Sequence, residues 1–319
     1  MQDKSLYYDG IGWYIMESMI QVSHLSKAYG DLQAVDNVSF DVKEGEIFGL
    51  LGPNGAGKTT TLEIMEGLRE PDAGEVLING ISVQKEPARI RPLIGVQLQS
   101  TSLFDLLKVE EILTLYASFY SQRLPVEKIL KQLNLEDKRH SLVKTLSGGQ
   151  KQRLAIGIAL IHDPRVVFLD EPTTGLDPQN RRSLWDIILS LKSAGKTIIL
   201  TTHYMEEAHI LCDRLAIMDR GKVKALGTPD KLISSLAMEH AVQFTNPQNE
   251  EDFSGLRGVT KVSTVNDQVI LYTTKLQDTL TDLIRWADAQ GQTLLNLETR
   301  QATLEDVFLH LTGRSLREK

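Results

Sequence analysis

The stretch Leu50-Leu51-Gly52-Pro53-Asn54-Gly55-Ala56-Gly57-Lys58-Thr59-Thr60 constrains this chain more than any other. Its pattern, Gly, four residues, then Gly-Lys-Thr, has the spacing of a loop that cradles phosphates. Residues 46–51 before it read as a short buried strand and residues 59–68 after it as a helix, so the loop sits where a strand feeds a helix N-terminus. Glycines at 52, 55 and 57 permit backbone angles that side chains forbid, and they let amide N–H groups face a polyphosphate. The helix dipole adds partial positive charge at the same spot. On this reading Lys58 reaches the β- and γ-phosphates and the Thr59 hydroxyl ligates Mg²⁺.

A second stretch, Val166-Val167-Phe168-Leu169-Asp170-Glu171-Pro172, carries the matching acids. A continuous apolar run suits a strand of a parallel sheet covered on both faces. It delivers two carboxylates at the C-terminal end of the strand, where ligands of α/β sheets bind. Asp170 is expected to hold Mg²⁺ through water, as the acidic partner of Thr59. Glu171, one residue on, points elsewhere and is expected to polarise an attacking water.

Around these stretches, strands and helices alternate. Ile20, Val22 and His24, then Val38, Phe40 and Val42, follow the period of half-buried strands and predict a small antiparallel sheet beside the main one. Pro71-Asp72-Ala73-Gly74 turns into a strand over 75–78, and Asn79-Gly80 is a hairpin signal. Residues 94–99 read as a short strand with a polar end, and 109 to about 140 as helical. Leu146-Ser147-Gly148-Gly149-Gln150 opens another helix, with Leu154, Ile158 and Ile161 on one face and Pro164 beyond its end. Leu184, Ile187, Ile188 and Leu191 mark an amphipathic helix ended by Gly195, followed by a buried strand over 197–202. This alternation argues for a parallel α/β sheet.

Near residue 238 the composition shifts. Thr228 as N-cap and Pro229 at the first helical position start a helix that runs to about residue 236. Then come a strand (241–245), a helix (249–256) and strands over 259–265 and 268–274 joined by Asn266-Asp267. A helix (276–290) and a strand (293–298) complete a ferredoxin-like βαββαβ order. A final helix over 304–311 carries Leu304, Val307, Phe308 and Leu311 on one face. The expected segments are an extension over 1–18, a main domain over 19–238 with a helical portion at about 100–160, and an accessory domain over 239–319.

A net charge of −7 argues against a broad nucleic-acid footprint. The single cysteine, Cys212, excludes an intrachain disulfide and a cysteine-based zinc site. In an apolar helical stretch (208–212) it reads as a buried structural thiol. No uncharged apolar run approaches a membrane span, and residues 1–18 lack the basic start and apolar core of a secretory signal. The chain itself is therefore expected to be soluble.

Together these residues resemble the ATP-binding-cassette family. Leu146-Ser147-Gly148-Gly149-Gln150 carries the resemblance furthest, because that pentapeptide is specific to these ATPases. The resemblance covers roughly residues 19–235. It implies an α/β phosphate-loop NTPase cassette, with a mainly parallel sheet, a small antiparallel sheet and a helical subdomain, followed here by the small C-terminal α+β domain. A Tyr in a turn can be an exposed ring or a core edge; the resemblance implies that Tyr29 stacks on adenine. It makes Gln99 the glutamine that senses Mg²⁺ and couples to a transmembrane partner, with Gln97 a nearby rival. Asp177, in Gly175-Leu176-Asp177-Pro178, matches the acidic residue that contacts an opposite subunit, and His203 the switch histidine that touches the γ-phosphate. The implied ligands are ATP and Mg²⁺. Each ATP is expected to close between the phosphate loop of one subunit and Ser147, Gly148, Gly149 and Gln150 of the other, in a two-fold dimer.

Within that family three readings compete. The ending Ala302-Thr303-Leu304-Glu305-Asp306-Val307-Phe308-Leu309-His310-Leu311-Thr312-Gly313 resembles the drug- and antibiotic-resistance exporter ATPases of bacteria. Related subunits handle lipids, polysaccharides or sodium. An importer ATPase is the second reading. A relative acting on DNA repair, chromosomes or ribosomes is the third; a single cassette, with no long insertion between Lys58 and Asp170, stands against it. The exporter reading implies membrane permease subunits as partners, no nucleic acid, and a peripheral place on the cytoplasmic face of a bacterial membrane. In the family the permease contact lies beside the glutamine loop, here Gln99 through about Tyr120, with Leu103, Phe104 and Leu106 as apolar candidates.

Overall fold

Five consecutive buried residues, Ile47 to Leu51, form the central strand on which the first part of the molecule is built. The structure is a computed structural model that describes residues 6–8, 13–15, 18–99, 103–235, 240–245, 252–265 and 267–312. It divides into two compact units, residues 1–226 and 227–319. From the expected N-terminal extension, β1 (Leu6–Tyr8) and β2 (Trp13–Ile15) pair as an antiparallel hairpin. The remainder up to residue 17 lies outside the described residues.

Then follow β3 (Ser18–Tyr29), β4 (Leu32–Lys43), β5 (Ile47–Leu51), α1 (Lys58–Met65), β6 (Ala73–Ile78), β7 (Ile81–Ser82), α2 (Pro87–Ile90) and β8 (Ile94–Gln97). The next stretch is helical: α3 (Val109–Ala117), α4 (Val126–Gln132) and α5 (Gly148–Leu160). The unit closes with β9 (Val166–Asp170), α6 (Pro178–Ser193), β10 (Thr197–Thr202), α7 (Met205–Leu211), β11 (Arg214–Asp219) and β12 (Lys222–Gly227), whose last residue opens the second unit.

The antiparallel sheet has the order β4-β3-β6-β7. Asn79 and Gly80, both at positive φ, turn β6 into β7 as the hairpin signal predicts. One expectation fails inside β3. Ile20 and Val22 are buried, but the pairing with β4 slips between Val22 and Leu25, His24 takes a φ of 50° and is exposed, and Leu25 enters the core instead. This is a bulge, an extra residue that re-aims the rest of the strand. Side chains hold it: the His24 N–H donates to Ser39 Oγ at 2.8 Å, and His24 Nδ1 lies 2.9 Å from Asn37 Oδ1.

The larger sheet has the order β12-β11-β5-β10-β9-β8, with β11, β5, β10, β9 and β8 parallel neighbours. Every residue of β5, β9 and β10 is buried, as strands covered on both faces require. Phe48 of this sheet stacks on Phe40 of the other, rings 4.9 Å apart, and joins the two into one apolar core. The register aligns the strand ends: Leu51 opposite Thr202, Asp170 opposite Thr201, Gln97 opposite Leu169. Polar residues from three strands thus reach the same edge, beside the end of β5 that feeds the glycine-rich loop. Boundaries expected at 59–68 and 94–99 shrink to α1 and β8, and the long helical reading over 109–140 is α3, α4 and a 3₁₀ turn at Glu136–Lys138.

The second unit begins with α8 (Pro229–Ser234), in which Thr228 caps Lys231 N and Pro229 takes the first position, as predicted. Then come β13 (His240–Thr245), β14 (Val259–Val265), β15 (Gln268–Thr273), α9 (Leu276–Gln290), β16 (Leu295–Gln301) and α10 (Leu304–Thr312). The sheet order β14-β15-β13-β16 puts the first strand of the unit between its third and fourth. Of the helix expected over 249–256, the described part is a 3₁₀ turn at Phe253–Gly255. Asn266 lies outside the described residues. The strand expected over 293–298 is β16.

Alternate residues of β15 face two cores. Val269 and Leu271 pack with Phe244, Phe253 and Leu283, while Ile270 and Tyr272 pack with Ala241, Ala302 and Ile233. The terminal motif now has a physical explanation. Asp306, buried, accepts hydrogen bonds from both terminal nitrogens of Arg300, from the Tyr272 hydroxyl at 2.8 Å, and from the Thr303 amide and hydroxyl at 2.8 and 3.0 Å. One carboxylate caps α10 and ties it to the sheet.

Candidate nucleotide-binding site

The phosphate-type loop is shaped by two glycines at positive φ. Gly55 and Gly57 lie at φ 77° and 98°, and a Cβ on Gly57 would strike the Ala34 carbonyl of β4. Only glycine permits both the angle and that close approach. The Gly52 N–H donates to Thr202 O at 3.3 Å, which ties the loop to the end of β10. Lys58, 4% exposed, donates to Gly52 O at 2.8 Å and Pro53 O at 3.1 Å, and lies 3.5 Å from Glu171 Oε1. Burial pulls its pKa down; the Glu171 charge opposes this. The site therefore holds a cation and the free N–H groups of the α1 N-terminus side by side.

Asp170 and Glu171 diverge as the sequence suggested, and a backbone feature explains it. Glu171 adopts φ 46°, a left-handed conformation that costs a non-glycine residue roughly 1–2 kcal/mol. Its amide donates to Thr201 Oγ1 at 2.9 Å, while the Thr201 hydroxyl donates to Asp170 Oδ1. The Thr59 hydroxyl is 3.4 Å from the same Asp170 oxygen. Burial, then the neighbouring Glu171 charge, raises the Asp170 pKa against the bonds from Thr201 and Thr59. Glu171, turned the other way, is met by the Thr174 hydroxyl at 3.1 Å, the Gln99 amide at 3.4 Å and His203 Nδ1 at 3.4 Å. The His203 contact lacks hydrogen-bond geometry. Of the two candidate glutamines, Gln99 reaches this cluster. Gln97 is buried at the end of β8 and donates to its neighbour Leu98 O.

A second cluster forms elsewhere in the same unit. Ser147 caps α5: its oxygen accepts from Gln150 N at 3.3 Å, and the Gln150 side chain accepts from Ser147 N at 2.9 Å. This is a reciprocal capping box. Ser147 and Gly148 are exposed, while Gly149 lies against Asn180 of α6 so closely that a Cβ there would sit 2.6 Å from Asn180 Oδ1. Asp177 caps α6, accepting from Gln179 N and Asn180 N at 3.0 Å each. Tyr29 is an exposed ring at the end of β3, with the Arg69 guanidinium 5.2 Å and Lys27 5.9 Å from its centroid. Pro53 and Asn54 lie in the turn before Gly55, Ala56 is buried, and Thr60 sits in the first turn of α1. Thr201 and Thr174, which orient the two acids, escaped the sequence reading. A polar residue inside the apolar run 197–202 was the one available signal for Thr201.

Comparison with known proteins agrees with this geometry. Residues 35–174 match the family model described as "ABC transporter", and residues 252–303 match "ABC transporter domain-containing protein-like, C-terminal domain". The chain is 36% identical to the linearmycin resistance ATP-binding protein LnrL of Bacillus subtilis, over 94% of this chain and 100% of that one. It is 39% identical to the Nod factor export ATP-binding protein I of Burkholderia orbicola, over 94% and 98% respectively. A solved dimeric ATP-binding cassette in a post-hydrolysis state, bound to ADP and Pi, superposes with a TM-score of 0.60 at 30% identity, covering 66% of this chain and 98% of that one. Strand-end acids, a glycine-cradled lysine and full-length relatives converge on one conclusion: the chain belongs to the ATP-binding-cassette transporter family and is one of its ATPases.

Proposed function

We propose that this chain is the ATP-hydrolysing subunit of an exporter, working on separate membrane permease subunits, with drugs or antibiotics as its class of cargo. The cargo class draws on the terminal motif around Asp306 and on the resistance named for the Bacillus relative; the Burkholderia relative is named for export of another cargo. The observation that carries the catalytic part is the convergence of Lys58, Gln99, Asp170, Glu171 and His203 at one sheet edge. Lys58 and the loop amides of residues 52–60 bind the phosphates, and Tyr29 offers its exposed ring to the base. Glu171 takes the proton of the attacking water, and His203 meets the γ-phosphate.

Mg²⁺ fits the donors present: the Thr59 hydroxyl, an Asp170 carboxylate oxygen and the Gln99 amide are hard oxygen ligands. Among the described residues no three His, Cys, Asp or Glu side chains converge as an all-protein cage. That suits an ion shared with substrate phosphates. When bound, it would neutralise charge developing on the β- and γ-phosphate oxygens.

Ser147, Gly148, Gly149, Gln150 and Asp177 form their own cluster, so we assign them to the ATP held by a second copy in a two-fold dimer. No helix among the described residues is long and apolar enough to cross a membrane. Force must then pass through a surface, which we assign to residues 99–120. Phe104 is 55% exposed and so is not core, and Tyr116, Phe119 and Tyr120 line a cleft of about 580 Å³. The test is Glu171→Gln. It should bind ATP with near wild-type affinity, lose most turnover, and elute from a sizing column as an ATP-dependent dimer. Wild-type turnover would remove Glu171 from the mechanism.

A further inference from the structure

Two clusters carry the proposed chemistry, and one short piece of α6 touches both. Its first turn holds the second cluster: Asp177 caps it, and Asn180 packs on Gly149. Arg181, the next residue, places its guanidinium carbon 4.5 Å from the centroid of the Tyr204 ring. Tyr204 in turn lies against His203, ring centroids 4.1 Å apart, and its amide donates to Thr202 Oγ1 at 2.9 Å. His203 is the residue beside Glu171. Among the described residues Arg181 makes no ion pair, and its buried Nε has no hydrogen-bond partner. The aromatic face is therefore the principal side-chain partner of this guanidinium. One turn further along α6, the buried Trp185 donates its indole N–H to Glu207 of α7 at 3.0 Å. Residues four apart share a helix face, so α6 and the segment 204–207 are joined at two successive points, one at the site edge and one in the core.

We propose that Arg181 and Tyr204 are positioning residues for hydrolysis, tying the His203–Glu171 edge to the α6 start that carries Asp177 and Asn180. The inference rests on the functional reading above. The Trp185–Glu207 pair is buried, away from the site edge. The Arg181–Tyr204 contact is only half-buried and gives one cation–π attraction; its value lies in geometry. A misplacement of about 1 Å at a reacting group can cost two orders of magnitude in rate. Because neither side chain belongs to the phosphate loop, losing the contact should slow turnover while leaving ATP affinity intact.

The experiment is a double-mutant cycle on the full chain, read as steady-state ATP hydrolysis, with melting curves for every variant. Arg181→Gln and Tyr204→Leu should each lower kcat about fivefold to tenfold, with KM for ATP changed less than twofold. The double variant should be no slower than either single one, because the contact is already lost. Tyr204→Phe keeps the ring and should retain the wild-type rate. If Tyr204→Leu melts early, Arg181→Gln against Tyr204→Phe decides the matter, since neither removes buried apolar surface. Independent, multiplying losses in the double variant, a Tyr204→Phe as slow as Tyr204→Leu, or a normal rate in Arg181→Gln would each overturn the proposal. The functional reading fails separately: a fully active Glu171→Gln beside a coupled cycle would remove the assigned base and leave this link standing.

Discussion

Lys58 and Glu66 stand at opposite ends of α1 and are both buried titratable groups, with opposite consequences. Lys58 finds compensation in two loop carbonyls and Glu171, and in the proposed mechanism it exchanges them for phosphate oxygens. Lys58→Ala is therefore expected to reduce ATP affinity or turnover by about a hundredfold or more, the scale of losing a preorganised charge donor. Titration calorimetry and a hydrolysis assay check it. Glu66 finds less: one carboxylate oxygen has no partner, and burial, then the charges of Asp170 and Glu63, push its pKa up to about 8. Its folded value lies above the ordinary value of about 4.3. The stability it contributes is thus complete below that value and is lost progressively as pH rises to about 8. Glu66→Gln should raise the melting temperature near pH 8 and flatten the decline between; parallel curves for the two proteins would show that Glu66 is ionised in the fold. Of the residues that build the site, the sequence displayed those that must be one chemical type at one spacing. Thr201 and Thr174 were hidden because a hydroxyl that orients a neighbour looks like any strand or turn threonine.

Single elements were legible where one force dominated. The Thr228-Pro229 start of α8 and the run of α6 follow local rules that tertiary contacts do not override. His24 was misread because alternation assumes an uninterrupted ladder, and the bulge that displaces it is set by Ser39 and Asn37 on another strand. In the described part of the span 249–256 the expected helix is a 3₁₀ turn, because Phe253 is held edge-on between the rings of Phe244 and Trp286, a packing that local periodicity does not display. Asp306 gives the sharpest prediction at this scale. Asp306→Ala strands Arg300 and the Tyr272 hydroxyl, so it should destabilise the second unit by about 2–3 kcal/mol in chemical denaturation. Burial alone would raise the Asp306 pKa, but the bonds from Arg300, Tyr272 and Thr303 win and lower it. Its contribution is present above the ordinary value of about 3.9 and is lost as pH falls through the folded value. An acid-side melting series, wild type against Asp306→Asn, reads that difference directly.

At the scale of the molecule, composition placed a boundary at 238, whereas the compact units divide at 226/227, and Ile233 of α8 belongs to a core of the second unit. We expect a chain ending at Gly227 to bind ATP and melt cooperatively, since every residue assigned to the chemistry precedes it. Loss of both properties would show that the first unit does not stand alone. Mixing Lys58→Ala with Ser147→Ala subunits tests the shared site: some hydrolysis should return, because one mixed arrangement keeps an intact pair of halves, and no recovery despite demonstrated subunit exchange would argue against sharing. The separation of the Ser147 and Lys58 clusters has a further consequence, on the reading proposed above. An enzyme that owns only half of each site has no fixed specific activity. When dilute, its rate should rise with the square of its concentration, and dilution should silence it reversibly. Two copies held side by side on a membrane partner escape that law, so the free subunit idles and spares the cell's ATP until it is mounted where work can be done.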